Sequence, residues 1–401
     1  MNMFKKMRPL LRDSFMLFGL YLVLSIHPLW GNEPLQGVFF DPLPSPPANR
    51  HWLMDFHQTR KTVEKELSEL VEATKINFVD IHVLIPTTLK RKATPPSDKA
   101  KEVAEWANMQ TLDNLADFVN LCHRYGVQVE IDLANNMWIP YSVDTAHHIG
   151  QSGWWPRPDD IPWTESKVWY TQIMEYVEAR AEHPEAIAMW CMFGNHQWGG
   201  AEPVLWDRND PNTATWWAER FVREVWPAFK DAGKRPKAAP IMLPIMADDP
   251  TWNVLPPHDR LRAFTHLKHW LVEDLRMPPD FWVMSTYPRC DPAEDGFYYL
   301  REILRILGPD AARHLISTDF KGSGHNIDDT ILSLGNMNGA EVLRWHFSKI
   351  DEYGLGGWWI WSYRDTPSEK TGIRTMSGQW KPEFVKVIRD RCERQAKAFD
   401  P

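Results

Sequence analysis

Eight short apolar segments, separated by longer amphipathic segments, are the feature that most restricts what this chain can fold into. The apolar segments are residues 37–41, 76–85, 127–134, 186–193, 239–246, 281–287, 314–320 and 357–361. Continuous apolar runs of this length are typical of strands that are buried on both faces. The segments between them repeat their apolar residues with the period of a helix, and they include 62–74, 112–125, 165–181, 215–230, 260–275, 297–307 and 340–353. The alternation predicts an α/β protein, a (β/α)8 TIM barrel with long βα loops in a single domain, in preference to a doubly wound open sheet.

The amino-terminal residues carry the pattern of a secretory signal. Basic residues between positions 5 and 12 precede an apolar stretch at 14–26, which is too short to cross a bilayer comfortably. We therefore expect residues 1–31 to be a signal peptide, residues 32–401 to form the barrel domain, and the mature protein to be secreted or periplasmic. A buried amino-terminal helix is the alternative interpretation. Export would place Cys122, Cys191, Cys290 and Cys392 where disulfides can form, and their wide spacing matches no metal-binding motif.

Composition narrows the class of partner. The 401 residues include 53 Asp and Glu against 45 Lys and Arg, and the net charge of -8 argues against nucleic acid or an anionic membrane as a partner. Tryptophan is abundant, with 22 residues, and flat apolar rings pack well against the faces of sugars. Composition therefore favours a carbohydrate partner, and it gives no indication of an oligomeric state.

Polar residues stand at the carboxyl ends of the predicted strands, where the loops of a TIM barrel build its active site. The second strand carries Asp80 and His82, and the third carries Asp132, followed by Asn135. The later strand ends contain Asn195, His196 and Trp198 after the fourth, Tyr287 in the sixth, Asp319 in the seventh, and Trp361 and Asp365 at and after the eighth. These residues are the candidates for a functional site.

The order of these motifs resembles the clan A retaining glycoside hydrolases of the cellulase and mannanase type. Residues 77–81 are Asn-Phe-Val-Asp-Ile, which is similar to the clan's Asn-x-Val-Arg-Ile in strand two. Residues 356–361, followed by Asp365, Gly372-Ile373 and Lys381-Pro382, are similar to the clan's pattern in and after strand eight. The resemblance covers nearly all of the mature chain. It implies hydrolysis of a glycosidic bond in a poly- or oligosaccharide by two carboxyl groups, with no cofactor and no metal.

The resemblance also assigns roles to single residues. Asn195 matches the asparagine that binds the sugar 2-hydroxyl, and Tyr287 matches the tyrosine that supports the nucleophile. Trp361 matches the tryptophan that forms the floor of the subsite for the cleaved sugar. Trp198 and Asp365 are further candidates for substrate binding.

The catalytic positions depart from the clan's pattern. His196 stands where the clan has its acid/base glutamate, and Asp319 stands where it has its nucleophile glutamate. Aspartate is shorter by one C–C bond, about 1.5 Å, which would move Asp319 from the spacing of a nucleophile toward that of an inverting base. Asp80 replaces the clan's strand-two arginine and is a candidate either for substrate binding or for an ion pair inside the barrel.

The sequence leaves three functions open. The first is an active glycoside hydrolase in which Asp319 is nucleophile or base and the acid is His196 or a loop carboxyl, for which the candidates are Glu202, Asp207, Asp248 and Asp249. The second is a catalytically inactive pseudo-glycosidase that binds glycans. The third is a metal-dependent barrel hydrolase, which needs convergent His and Asp ligands, although residues 80–82 lack the His-x-His of such enzymes.

Two further patterns concern the barrel interior and the tryptophans. Glu130 and Asp132 alternate with apolar residues, so we expect one or both to face the interior and pair there. Trp358 and Trp359 are adjacent, so at most one faces inward and the other packs under a helix. The loop after strand three supplies candidate sugar platforms at Trp154, Trp155 and Trp163.

Overall fold

Eight parallel strands close into a barrel in which each strand pairs with the next and the last strand pairs with the first. The computed structural model of the protein describes residues 33–43, 52–83, 85–90, 101–133, 163–192, 219–220, 222–241, 257–286, 297–320, 339–365 and 371–399. The strands are β1 (Leu35–Phe39), β2 (Phe78–Val83), β3 (Gln128–Leu133), β4 (Ile187–Met192), β5 (Lys237–Pro240), β6 (Phe281–Ser285), β7 (Leu315–Phe320) and β8 (Gly357–Ile360). This architecture confirms the predicted (β/α)8 TIM barrel.

Helices alternate with the strands along the chain. In the described ranges they are α1 (Phe56–Thr74), α2 (Ile85–Thr88), α3 (Val103–Trp106), α4 (Met109–Arg124), α5 (Trp163–Arg180), α6 (Trp226–Asp231), α7 (Pro257–Lys268), α8 (Tyr298–Leu307), α9 (Gly339–Tyr353) and α10 (Pro382–Phe399). Short 3-10 segments lie at Trp52–Asp55, Pro184–Ala186 and Pro309–His314, and a π-helical segment follows α7 at His269–Asp274. Gly126 after α4 and Gly354 after α9 have φ angles of 66° and 64°, the left-handed conformation in which helices commonly end.

The two faces of each strand meet different surroundings. In β2, Val79 and Ile81 belong to the apolar layer that lies between the strands and the helices. Asp80 and His82 alternate with them and face the barrel interior. Fully burying one large apolar side chain stabilises a fold by about 1.5–3 kcal/mol, so the outer layer supplies most of the driving force for folding.

Strand β5 lies earlier in the chain than the sequence predicts. The predicted segment was 239–246, whereas the strand is Lys237–Pro240, and residues 242–246 lie outside the described part of the chain. Lys237 looks like a surface residue in the sequence, but it is only 2% exposed. Its ammonium group donates a hydrogen bond to the Arg235 carbonyl, which allows the side chain to be buried.

Two other local predictions were wrong. Trp163 does not lie on a loop as a sugar platform, because it is the first residue of α5 and is 6% exposed. The periodic segment 260–275 is not one α-helix, because α7 gives way to the π-helical turn at His269–Asp274. The pattern of apolar residues identified both segments but did not distinguish a buried helix start from a loop, or an α-turn from a π-turn.

Residues Pro34–Arg394 form one compact unit, which contains the barrel strands. Met1–Glu33 and Gln395–Pro401 form a second unit, and the predicted signal peptide at 1–31 lies outside the described residues. No helix in the described ranges has the length and apolar character needed to cross a membrane.

Three of the four cysteines lie in the described ranges. Cys122, Cys191 and Cys392 are buried thiols that form no disulfide with one another, and Cys290 lies outside those ranges.

Candidate functional site

Two aromatic side chains stack at the mouth of the barrel, where β1 and β8 end. Phe39 is the last residue of β1, and Trp361 directly follows β8. Their ring centroids lie 4.3 Å apart and their planes differ by 13°. The backbone N–H of Tyr363 donates to the Phe39 carbonyl at 2.9 Å, so the two segments are joined beside the stack. Both rings belong to half-buried residues, and a partly exposed aromatic face is a surface that packs against a sugar ring.

His82 extends this aromatic group from β2. Its ring centroid lies 4.5 Å from that of Phe39 and 6.1 Å from that of Trp361. The residue is 6% exposed, so the imidazole stands at the boundary between the mouth and the enclosed interior. Three neighbouring strands, β8, β1 and β2, therefore supply one continuous wall of rings.

Below His82, the interior holds three carboxyl groups. Asp80, Glu130 and Asp132 are each fully buried. The register of β2 with β3 pairs Asp80 with Glu130 and His82 with Asp132, which brings the four side chains together. His82 Nε2 lies 3.1 Å from Asp80 Oδ2 and 3.7 Å from Asp132 Oδ2. Asp80 thus occupies the interior ion pair that the sequence offered as one alternative, and its contact with substrate stays a prediction.

The two adjacent tryptophans of β8 point to opposite sides of the barrel wall. Trp359 Nε1 donates to Glu130 Oε2 at 3.0 Å, a contact that crosses the interior because β8 and β3 are not neighbours. Trp358 packs outward, with its ring centroid 4.6 Å from that of Phe347 on α9. Both the inward direction of Glu130 and the division of the tryptophan pair are confirmed.

Burial raises the pKa of two of the interior carboxyl groups. Desolvation raises the pKa of Glu130 well above its usual range, and the nearby charge of Asp80 adds to this, while hydrogen bonds from Trp359 and Cys191 oppose it. Desolvation likewise raises the pKa of Asp132 well above its usual range, against the opposing charge of His82. Burial therefore favours the neutral form of two of the three carboxyl groups, next to the contact between Asp80 and His82.

Within the described residues, three clusters bring possible metal-ligand atoms within 4.8 Å of one another. They are Asp80 with His82 and Asp132, Glu130 with Asp132 and Cys191, and His123 with His183 and Glu185. The first two belong to the interior group, in which burial favours the protonated forms of Glu130 and Asp132 over the ionised forms that bind metals. In the third, which is on the surface, the imidazole planes differ by 5° at a centroid distance of 3.7 Å. The lone pairs of the two imidazoles therefore run parallel and do not converge on one ion. None of the three clusters calls for a metal, and the expected absence of a metal from the site stays a prediction.

Asp365 closes the turn that follows β8. Its Oδ1 accepts hydrogen bonds from Lys381 Nζ at 2.8 Å and from the Gly372 backbone N–H at 3.0 Å. Position 372 needs glycine, because a Cβ there would lie 2.2 Å from the Arg364 carbonyl carbon. The side chain of Asp365 is 5% exposed, so its observed partners are structural and its predicted contact with substrate stays a prediction.

The end of β7 brings Asp319 to the mouth. Asp319 is the fifth of six residues in the strand, and the register with β8 shifts between Ser317 and Phe320. Behind this segment, Ser317 and Thr286 hydroxyls are 2.8 Å apart, and Thr286 Oγ1 lies 3.0 Å from His346 Nε2 on α9. Burial lowers the pKa of His346 to about 3, so the imidazole is neutral at ordinary pH. This cluster, which the sequence did not reveal, ties the ends of β6 and β7 together.

Similarity to solved structures identifies the class of barrel, although no protein-family model and no curated protein matches the sequence. A GH5_18 protein from Streptomyces cattleya, solved in complex with GlcNAc, matches with a TM-score of 0.56 and 11% identity over 92% of this chain and 81% of that chain. A GH5_18 protein from Bifidobacterium longum subsp. longum, solved in complex with Manb1-4GlcNAc, matches with a TM-score of 0.53 and 13% identity over 91% and 78%. A GH1 beta-glucosidase from Exiguobacterium antarcticum B7 matches with a TM-score of 0.53 and 12% identity over 92% and 97%. The chain has a clan A glycoside hydrolase-type fold.

In this clan A-type barrel, Asp41 is a candidate that sequence reasoning missed. It lies two residues beyond β1, and its Oδ1 is enclosed without a hydrogen-bond partner in the described structure. Burial raises the pKa of Asp41 to about 6, against a hydrogen bond from the Leu43 backbone and the positive charges of Arg364 and His82. The sequence placed Asp41 at the end of the predicted strand 37–41 without a role, and its position at the end of a barrel strand was the available signal.

The other predicted site residues of the clan A-type barrel have no described surroundings. The backbone of Asp319 is described, but its side chain is not. Wholly outside the described residues lie Asn135, Trp154, Trp155, Asn195, His196, Trp198, Glu202, Asp207, Asp248, Asp249 and Tyr287. Their roles stay predictions.

Proposed function

We propose that this protein is a glycoside hydrolase that acts on a β-linked poly- or oligosaccharide. The observation that carries the proposal is the stacked pair of Phe39 and Trp361 at the mouth of the clan A-type barrel. The resemblance implies that Trp361 forms the floor of the subsite for the cleaved sugar. A sugar on that floor would lie beside β7, whose end carries Asp319.

The proposed reaction uses an altered pair of groups. Asp319 is the carboxylate that attacks the anomeric carbon or activates a water molecule, and a separate acid protonates the leaving oxygen. His196 occupies the acid/base position of the resemblance, and an acid from another segment at the mouth is the alternative. The protein's own side chains suffice for this chemistry, so no cofactor is included.

The names of the structural neighbours favour the β-linked class. The Bifidobacterium protein was solved with Manb1-4GlcNAc, the Streptomyces protein with GlcNAc, and the Exiguobacterium protein is a beta-glucosidase. We therefore propose short β-linked mannosides and glucosides, including those joined to GlcNAc, as the first substrates to try.

A product-release assay tests the proposal directly. Purified protein is incubated with a panel of β-linked oligosaccharides between about pH 5 and 7, together with Asp319→Asn and the control Asp390→Asn. Asp390 lies on α10, and its half-exposed side chain pairs with Lys386, so its loss should leave activity unchanged. We expect release by the wild type and the control, and a loss of at least about 10³-fold in Asp319→Asn. Equal activity in all three proteins would reject the role of Asp319.

The second candidate is a pseudo-glycosidase that binds glycans without cutting them. The replacement of the usual acid/base glutamate by His196 favours it. It predicts no product from any substrate, together with saturable glycan binding that weakens about tenfold or more in Trp361→Ala. Release of product by the pure wild-type protein would exclude this candidate.

Export to the periplasm or the medium is a separate proposal, which rests on the pattern of residues 1–31. Mass measurement of the protein recovered from its native cell fractions tests it. An exported protein that lacks about the first thirty residues is the expected result. A full-length cytoplasmic protein would contradict it.

A further inference from the structure

We propose that Asp41 is the group that donates a proton to the departing sugar. This inference rests on the proposed function and names the acid that the altered catalytic pair leaves open. It arises from the position of Asp41 in the fold. Asp41 lies two residues beyond β1, the strand that ends with Phe39 of the aromatic floor.

The backbone fixes where this carboxyl group stands. The Phe40 N–H donates to the Asp80 carbonyl at 2.9 Å, so the pairing with β2 continues past the end of β1. Phe40 is 1% exposed and packs into the outer apolar layer, with its ring 5.2 Å from that of Tyr363. Because strand side chains alternate, Phe39 and Asp41 both point to the opposite side, which is the mouth. Asp41 therefore lies beside the floor formed by Phe39 and Trp361.

The surroundings of Asp41 suit a proton donor. Arg364 and His82 are the charged groups that face it, from the segment after β8 and from β2. The charge of Arg364 is largely compensated, because its Nη2 lies 2.7 Å from Glu66 Oε2. His82 is likewise paired with Asp80. Desolvation therefore outweighs both positive charges and raises the pKa of Asp41 to about 6, as an acid working near neutral pH requires.

The proposed step moves one proton and one pair of bonding electrons. The O–H bond of Asp41 breaks as its proton passes to the glycosidic oxygen, and the bond from that oxygen to the anomeric carbon breaks at the same time. The leaving sugar departs as an alcohol and Asp41 remains as a carboxylate. In one route Asp319 bonds to the anomeric carbon, and a water molecule then displaces Asp319 while Asp41 takes a proton from that water, which frees the sugar and restores both groups. In the other route a water molecule attacks the anomeric carbon as Asp319 accepts its proton, and Asp319 and Asp41 then return to their starting protonation states by exchange with solvent.

A structural role is the competing explanation. The Asp41 side chain accepts from the Leu43 backbone two residues later, as in an Asx turn. Asn retains that acceptor but cannot donate a carboxylic proton, so Asp41→Asn separates the two explanations. Asp41→Glu keeps the acid and serves as the second variant, and Asp390→Asn is the distant control.

The test is a series of aryl β-glycosides of the sugar released in the panel assay. Phenyl glycosides need protonation of the leaving oxygen, whereas dinitrophenyl glycosides do not. For Asp41→Asn we expect kcat/KM to fall about 10²- to 10⁴-fold on the phenyl glycoside and less than about tenfold on the dinitrophenyl glycoside. The wild type should lose activity above about pH 6, where Asp41 ionises, and Asp41→Asn should lack this alkaline limb while Asp41→Glu retains one.

Three results would overturn the inference. An equal fall on both glycosides would indicate a structural role for Asp41. Survival of the alkaline limb in Asp41→Asn, with its loss in His196→Gln, would assign the proton to His196. If Asp41→Asn does not fold, the pH dependence of the other two proteins still tests the inference. A wild type that keeps its activity above about pH 6, or an Asp41→Glu variant that loses no activity at alkaline pH, would reject the inference. A wild type inactive on every glycoside would instead reject the proposed function itself.

Discussion

The two faces of β2 show how differently the inside and the outside of this barrel are built. Val79 and Ile81 face the helices and add to a continuous apolar layer. Asp80 and His82, one residue away in each case, face an interior of carboxyl groups and rings. The outer face gains free energy from every side chain it buries, whereas the inner face must balance charges to remain folded. The outer face therefore supplies most of the apolar burial, and the inner face supplies polar groups that must find partners.

Removing a large side chain from the outer layer should give the largest loss. Phe118 on α4 is fully buried, and its ring centroid lies 5.0 Å from that of Trp52 and 6.0 Å from that of Phe40. We expect Phe118→Ala to lower the free energy of unfolding by about 3–5 kcal/mol, because it opens a cavity that the aromatic neighbours cannot fill. Urea denaturation measures this change. Met376→Ala, at a residue that is 48% exposed, is the control and should change it by less than about 0.5 kcal/mol.

Breaking the interior ion pair should give an intermediate loss. Asp80→Asn leaves His82 without its carboxylate at 3.1 Å, and we expect a loss of about 1–3 kcal/mol. The loss is smaller than for Phe118→Ala because Asn keeps the size of the side chain and opens no cavity. A double-mutant cycle with His82→Gln should give a coupling free energy of about 1–2 kcal/mol. Strict additivity of the two substitutions would show that the pair does not act as a unit.

Replacing Glu130 with Gln should have the smallest effect on the free energy of unfolding. This effect should be a gain in stability, whereas the two substitutions above cause a loss. The pKa of Glu130 is raised well above its unfolded value, so the native protein holds a proton that unfolding releases. Stability is therefore lost as pH rises from the unfolded pKa toward the folded one. Glu130→Gln has no such proton, and we expect its stability relative to wild type to increase as the pH rises from 4 to 8. Thermal unfolding at the two pH values measures this, with surface Glu393→Gln as control, and parallel pH curves for wild type and variant would contradict it.

Sequence periodicity was sufficient for the architecture because the outer layer is apolar without interruption. Strands β2 and β3 each contribute alternate Val, Ile or Leu residues to that layer, and the pattern reveals them even though the inner face of both strands carries carboxyl groups. The pattern failed at β5, where Lys237 is buried in the strand and breaks the apolar run. It also could not foresee that Asp80, Glu130 and Asp132 meet, because that depends on the register between β2 and β3. The sequence did not reveal the role of Asp41 because Arg364 and His82, the charged groups that face its carboxyl group, are distant along the chain.

Because β1 pairs with β8, the aromatic floor combines Phe39 from the first strand with Trp361, which follows the last strand. During synthesis, Phe39 leaves the ribosome long before Trp361, and until β8 arrives the sheet has two exposed edges. The stacked pair of Phe39 and Trp361 therefore cannot form on a nascent or truncated chain. A carboxy-terminal deletion that removes β8 would abolish the floor and leave open edges prone to aggregation. Only a chain that has completed its ring of strands would be able to hold a ligand.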